Sequence, residues 1–173
     1  RITDSAIATN ATPVIEGEHV LITSTLAFSG NGGLSGSVWI EDDGVAIDTT
    51  QSGRDFYITG ASAISVTTCT CTCTPNGVGT VSYSGCNNGD DIVIEYTFIA
   101  NSASTSTLQA GGSTGTFNDN IDVTINPPPD NPPYLDPSVS TNPDKNDSSI
   151  FQYDTIEFNA TWEDDYNLSG YIF

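Results

Sequence analysis

From Asp91 to Ala100 every second residue is apolar: Ile92, Ile94, Tyr96 and Phe98 fall on one face of an extended chain, and Glu95 and Thr97 fall on the other. Successive side chains of a strand point to opposite faces, so this period of two describes a ribbon with one buried and one wet side. The signature recurs at Ile22, Leu26 and Phe28, at residues 121–125 (IDVTI), and at Ile156, Phe158, Ala160 and Trp162, which alternate with Glu157, Asn159 and Thr161. Gly, Asn, Asp and Pro clusters punctuate each run at short intervals, and no segment carries a capped 3.6-residue apolar period. With helix nearly absent from the pattern, ribbons of this kind bury their apolar face against another sheet. The expected fold is all-β, and many short strands between turns predict a sandwich.

The two ends of the chain also resemble each other. Residues 19–39 (HVLITSTLAFSGNGGLSGSVW) align with residues 153–173 (YDTIEFNATWEDDYNLSGYIF) at a constant offset and without a gap. Ile22 meets Ile156, Phe28 meets Trp162, Leu34-Ser35-Gly36 meets Leu168-Ser169-Gly170, and Val38 and Trp39 meet Ile172 and Phe173. Between the copies runs Asn126-Pro127-Pro128-Pro129-Asp130-Asn131-Pro132-Pro133-Tyr134. Prolines donate no ladder hydrogen bond and favour an extended, semi-rigid spacer, so this segment reads as a linker.

A closing strand, Asp-Asn-Pro-Pro and an opening strand together resemble the junctions of tandem immunoglobulin-like and cadherin-like repeats in prokaryotic, particularly archaeal, cell-surface proteins. IEFNATWEDDYNLSGYIF is similar to strand B, the acidic loop and strand C of such repeats. The resemblance implies an immunoglobulin-like β-sandwich, with one complete repeat plus a partial second repeat. The expected organisation is a sandwich over 1–126 with a Cys-rich hairpin insertion near 60–90, a Pro-rich linker at 127–135, and an incomplete repeat of strands A–C at 136–173. Arg1 reads as a processed or trimmed start. The second copy stops inside its third strand at Phe173, which is expected either of a piece of a longer polypeptide or of a repeat completed by a strand from another chain.

Charge narrows the functional classes. The chain has 22 acidic residues against 3 basic ones, for a net charge of −19. Nucleic-acid binding needs Lys and Arg to neutralise phosphates, so that class is excluded. No run approaches the ~20 apolar residues of a membrane helix, so no membrane span is expected. Missing Lys and Arg are replaced by Ser and Thr, as in 102–107 (SASTST) and 67–74 (TTCTCTCT), a composition that suits an extracellular structural protein.

Cys69, Cys71, Cys73 and Cys86 form C-x-C-x-C-x12-C. On an unbroken strand over 66–74 the first three share a face, with neighbours about 6.5–7 Å apart between Cα atoms, the outer limit of a disulfide. Pro75-Asn76-Gly77-Val78-Gly79 signals a turn and 80–86 a return strand. That arrangement sets Cys86 opposite Cys69 in a cross-strand bridge. It leaves Cys71 and Cys73 to pair under strain, to stay free, or to bond a second chain. Clustered thiolates also suit a soft ion such as Zn²⁺ or Cu⁺, although the spacing is not that of a zinc ribbon and no His lies nearby. An even cysteine count in such a chain favours structural disulfides and an oxidising compartment.

The remaining candidates are polar loops. Asp130 in the linker and Glu163, Asp164 and Asp165 are the candidate calcium ligands, because Ca²⁺ collects oxygens from carboxylates, amides and carbonyls. Asp119-Asn120-Asp122, Asn87-Asn88-Gly89-Asp90-Asp91 and Glu41-Asp42-Asp43 are further acidic loops, and none matches an EF-hand. Sequons at Asn10, Asn146, Asn159 and Asn167 are candidate glycosylation sites. No catalytic residues emerge: His19 is the one histidine, and there is no G-x-S-x-G elbow. Trp39 is the more open of the two tryptophans and a candidate for a sugar-binding face. The expected function is that of a structural or adhesive surface protein (an S-layer, sheath, filament or stalk subunit) that associates with neighbouring copies of itself. A carbohydrate-binding or calcium-dependent adhesive module, or an accessory domain of a secreted hydrolase, is the alternative.

Overall fold

The computed structural model describes residues 1–115, 117–129, 134–135 and 162–163. The chain divides into two compact units, Arg1–Pro128 and Pro129–Phe173. In the first unit, β3 (His19–Phe28) and β10 (Asp91–Ala100) form the centre of one sheet. They run antiparallel, with Leu26 opposite Ile92, Ile22 opposite Tyr96 and Val20 opposite Phe98. All six of these side chains are fully buried, as their alternation requires. Strand β1 (Ile2–Thr9) pairs with the free side of β3. On the other side of β10 lie β6 (Phe56–Tyr57) and β7 (Ile64–Cys69).

The second sheet has β4 (Leu34–Asp42), β11 (Ser104–Gly112) and β12 (Asn120–Asn126) as its antiparallel core. It extends past β4 through β9 (Val81–Cys86) to β8 (Thr72–Pro75). Past β12 it ends in β2 (Val14–Ile15), which runs parallel to it, while β5 (Val45–Ala46) folds back on β4. One 3-10 turn, Ala61–Ala63, is the helical structure among the described residues.

This is immunoglobulin topology. Strands β1, β3, β10 and the β6/β7 pair occupy the A-B-E-D positions of one sheet, and β4, β11 and β12 occupy C, F and G of the other. The chain end containing β1 and β2 divides between the sheets, antiparallel to β3 first and parallel to β12 after Pro13. The core between the layers holds Phe28 edge-on to Tyr83 with centroids 5.0 Å apart, and Tyr96 stacked on Phe98 at 5.6 Å.

Residues 60–90, expected as an inserted Cys-rich hairpin, are woven into both sheets. β7 is an edge strand of the first sheet, and the chain then crosses to the second within Thr70–Cys71 before forming β8 and β9. Corners of this kind occur where a strand bends from one sheet into its partner. The turn that joins β8 to β9 matches its sequence signal. Asn76 donates its N–H to the Thr80 carbonyl at 2.9 Å, and its Oδ1 accepts from the Val78 and Thr80 amides at 3.1 Å each. Gly79 there has φ +93°, and a Cβ on it would stand 2.4 Å from the Ile47 carbonyl oxygen, so glycine is required twice over.

In the second unit, β13 (Tyr134–Leu135) pairs antiparallel with β14 (Trp162–Glu163), Leu135 opposite Trp162. The rest of the expected partial repeat lies outside the described residues.

Candidate functional site

The seven-stranded sheet turns one face to the core and one outward. On β4, Val38 and Ile40 enter the core, which directs Ser37, Trp39 and Glu41 outward. On β11, Ser106, Leu108 and Ala110 enter the core, which directs Thr105, Thr107, Gln109 and Gly111 outward. Gly111 stands directly across from Trp39 and is buried even though it faces outward. The indole explains this, because a Cβ at Gly111 would lie 2.6 Å from Trp39 Nε1 and 2.4 Å from Glu41 Oε1. The ring therefore lies over the neighbouring strand, and its Nε1 donates to Glu41 Oε1 at 2.8 Å, which holds it there. Trp39 itself is only half-buried.

Along this outer face the strands carry hydroxyls. Ser37 and Ser82 meet at 3.5 Å, Thr105 and Thr124 at 3.2 Å, and Thr107 Oγ1 donates to Asp122 Oδ1 at 2.8 Å. Arg1 and Arg54, the bases among the described residues, lie on none of these strands. The arrangement offers a fixed aromatic surface in a neutral-to-acidic hydroxyl field. It suits an apolar side chain or the C–H face of a neutral sugar and disfavours an anion.

At the end of β4 the chemistry differs. Asp42 has a buried Oδ1 with no hydrogen-bond partner among the described residues. Burial pushes its carboxyl up to about 6, Asp55 and Asp43 add to the rise, and the nearby Ser106 hydroxyl opposes it. Ser106 donates its one hydroxyl proton to Asp55 Oδ2 at 2.8 Å. The Tyr96 hydroxyl is likewise buried without a partner, and burial pushes its pKa up.

Carboxylates of two acidic loops singled out from sequence accept backbone amides. Asp90 Oδ2 accepts the Asn87 amide at 2.6 Å, which lowers its pKa, and Asp119 Oδ2 accepts the Ile7 amide at 3.3 Å. Among the described residues, the one group of three or more metal-ligating side chains is Cys69, Cys71 and Cys73. The calcium candidates Asp130, Glu163, Asp164 and Asp165 lie outside the described side chains, as do Asn146, Asn159 and Asn167. Asn10 is exposed after β1, and its Oδ1 accepts the Leu21 amide at 2.9 Å.

The cysteines pair differently from the cross-strand expectation. Cys69 bonds Cys73, and Cys71 bonds Cys86, so Cys69 does not meet Cys86, and Cys71 and Cys73 are neither paired together nor free. A β-bulge is the reason. Ile94 lies opposite Val66 while Ile92 lies opposite Cys69, so one extra residue of β7 shifts the alternation and turns Cys69 to the core side. Cys73 stands opposite the buried Tyr83 and also faces inward, from the other sheet. The Cys69–Cys73 bridge thus joins the two layers, and Cys71 in the crossing reaches Cys86, which is fully buried at the end of β9.

Fold and corner together define a β-sandwich of immunoglobulin topology closed by two disulfides. Among solved structures the chain is similar to one from a crystal structure of a CaDoc–CaCohA2 complex at pH 5.5, with 14% identity, a TM-score of 0.34, and coverage of 71% of this chain and 100% of that one. It is also similar to a non-cellulosomal cohesin from the hyperthermophilic archaeon Archaeoglobus fulgidus, with 8% identity, a TM-score of 0.32, and coverage of 71% and 91%. No protein-family description matches the chain, and no curated protein does. Likenesses this slight transfer no function.

Proposed function

We propose that the chain is a structural or adhesive module of an extracellular surface assembly, of the S-layer, sheath, filament or stalk kind, whose first partner is a neighbouring copy of itself. The observation that carries this reading is the outer face of the seven-stranded sheet, with neither Arg1 nor Arg54 on its strands and the half-buried Trp39 held on it by Glu41. Aromatic side chains set in a polar surround anchor protein interfaces. The two disulfides support an oxidising, extracellular setting, and the resemblance of the Pro-rich junction to archaeal surface repeats supports the assembly. Analytical ultracentrifugation and electron microscopy of the full chain test it. Concentration-dependent multimers that Trp39→Ala dissolves, with circular dichroism unchanged, are expected. A monomer at every soluble concentration overturns the self-associating form.

A second reading has its own observation. The Ser37–Ser82 hydroxyl pair, two residues from Trp39 along β4, suits the hydrogen-bonding needs of a neutral polysaccharide, and an array of neutral glycans decides it, with loss of signal in Trp39→Ala as the confirming result. The absence of any response removes it.

A further inference from the structure

We infer that the cysteine corner has a second covalent state, in which the four sulfurs, reduced, form a tetrathiolate site for Zn²⁺ or a cation of similar softness. The sulfurs of Cys69, Cys71 and Cys73 all lie within 4.8 Å of one another, and the unbonded pair Cys69–Cys71 is separated by 3.8 Å. Cys86 is bonded to Cys71 but lies outside that group of three, so it is the ligand that must move furthest to complete the site. A tetrahedral site with Zn–S bonds of about 2.3 Å has sulfur–sulfur edges of about 3.8 Å. The unbonded pair already has that spacing. The remaining edges, those to Cys86 among them, are set by side-chain torsions once the disulfides are reduced.

The backbone around the site is held independently of the disulfides. Cys69 ends β7 in its ladder with β10, Cys73 lies in the β8–β9 hairpin, and Cys86 ends β9 opposite Leu34 of β4. Three of the four ligands therefore sit on paired strands, and only Cys71 lies in the crossing. An all-sulfur donor set selects Zn²⁺, Cd²⁺ or Cu⁺ over Ca²⁺ or Mg²⁺.

The chemistry balances. Two equivalents of a dithiol or phosphine reduce the two disulfides to four thiols and are themselves oxidised. Zn²⁺ then displaces four protons, and its oxidation state does not change. Each sulfur serves either a disulfide or the metal, so the two states exclude one another. This inference does not depend on the partner proposed above.

The test uses the full chain reduced anaerobically with a phosphine, then titrated with Zn²⁺ or Cd²⁺ and desalted. One metal per chain is expected, with a cadmium–thiolate charge-transfer band, four thiols protected from alkylation, and no metal in the oxidised chain. Cys71→Ser with Cys86→Ala should abolish retention. If reduction loosens the fold, zinc should restore the near-ultraviolet circular dichroism of the oxidised chain. Failure of the reduced chain to retain metal overturns the inference, as does equal retention in urea or in the double variant.

Discussion

Because the two disulfides close loops of different length, removing them should cost different amounts. Cys71 and Cys86 are 15 residues apart, and Cys69 and Cys73 are 4 apart. Cross-linking removes loop-closure entropy from the unfolded chain in proportion to the logarithm of loop length, which gives about 3 kcal/mol for the longer loop and about 2 kcal/mol for the shorter. The comparison pairs Cys71→Ser plus Cys86→Ala with Cys69→Ser plus Cys73→Ser; alanine is chosen at 86 because that side chain is fully buried. Urea unfolding followed by circular dichroism reads the difference. With a slope near 2 kcal/mol per molar urea, the first variant should unfold about 0.5 M earlier than the second. The mixed variant, Cys69→Ser plus Cys86→Ala, breaks both bridges and should be the least stable of the three. If the mixed variant is instead the mildest and peptide mapping recovers a Cys71–Cys73 link, the bulge-based account of the pairing is wrong. If the short-loop variant loses as much as the long-loop one, chain entropy does not govern the corner.

Three further outcomes follow from the buried polar atoms and the covered glycine. Tyr96→Phe removes a hydroxyl that is buried without a partner, so stability should be unchanged or rise by up to about 1 kcal/mol, and a loss larger than that in urea melts contradicts the orphan assignment. Asp42 is raised from 3.8 to about 6, so the folded chain holds this proton more tightly than the unfolded chain. The stabilisation is fully present below pH 3.8 and is lost as pH rises through about 6, and Asp42→Asn should flatten the stability profile across that window, whereas an unchanged slope refutes it. Gly111→Ala puts a methyl where the Trp39 indole lies, so in a Trp162→Phe background the remaining fluorescence should shift to the red as the ring lifts into water; an unmoved spectrum speaks against the covered-glycine geometry.

Much of the layer structure was legible because burial on one face of a strand leaves a local trace. The alternation at 92–98 marks β10 and its inward residues, and the Pro75–Gly79 turn marks the β8–β9 hairpin. The cysteine pairing was not legible, because it depends on a single extra residue in β7 and on a two-residue crossing between sheets, and Thr-rich sequence marks neither. Trp39 could be recognised as outward from its place between Val38 and Ile40. That it lies over Gly111 required knowing which strand is its neighbour. The raised Asp42 is a purely tertiary property, since Asp55 and Ser106 approach it from distant parts of the chain.

The division of the first strand has a mechanical consequence. β2, near the beginning of the first unit, runs parallel to β12, near its end, through Val14 opposite Ile125 and Ile15 opposite Asn126. Tension applied at the two ends of the unit would slide these strands past each other and load their hydrogen bonds, among them Glu16 N–H to the Asn126 carbonyl at 2.9 Å, simultaneously rather than one after another. Both disulfides lie within residues 69–86, between those strands in sequence and outside that patch. Resistance to pulling and resistance to heat are therefore set by different residues, so a module of this design can have its yield force tuned near Pro13 without any change to its covalent corner.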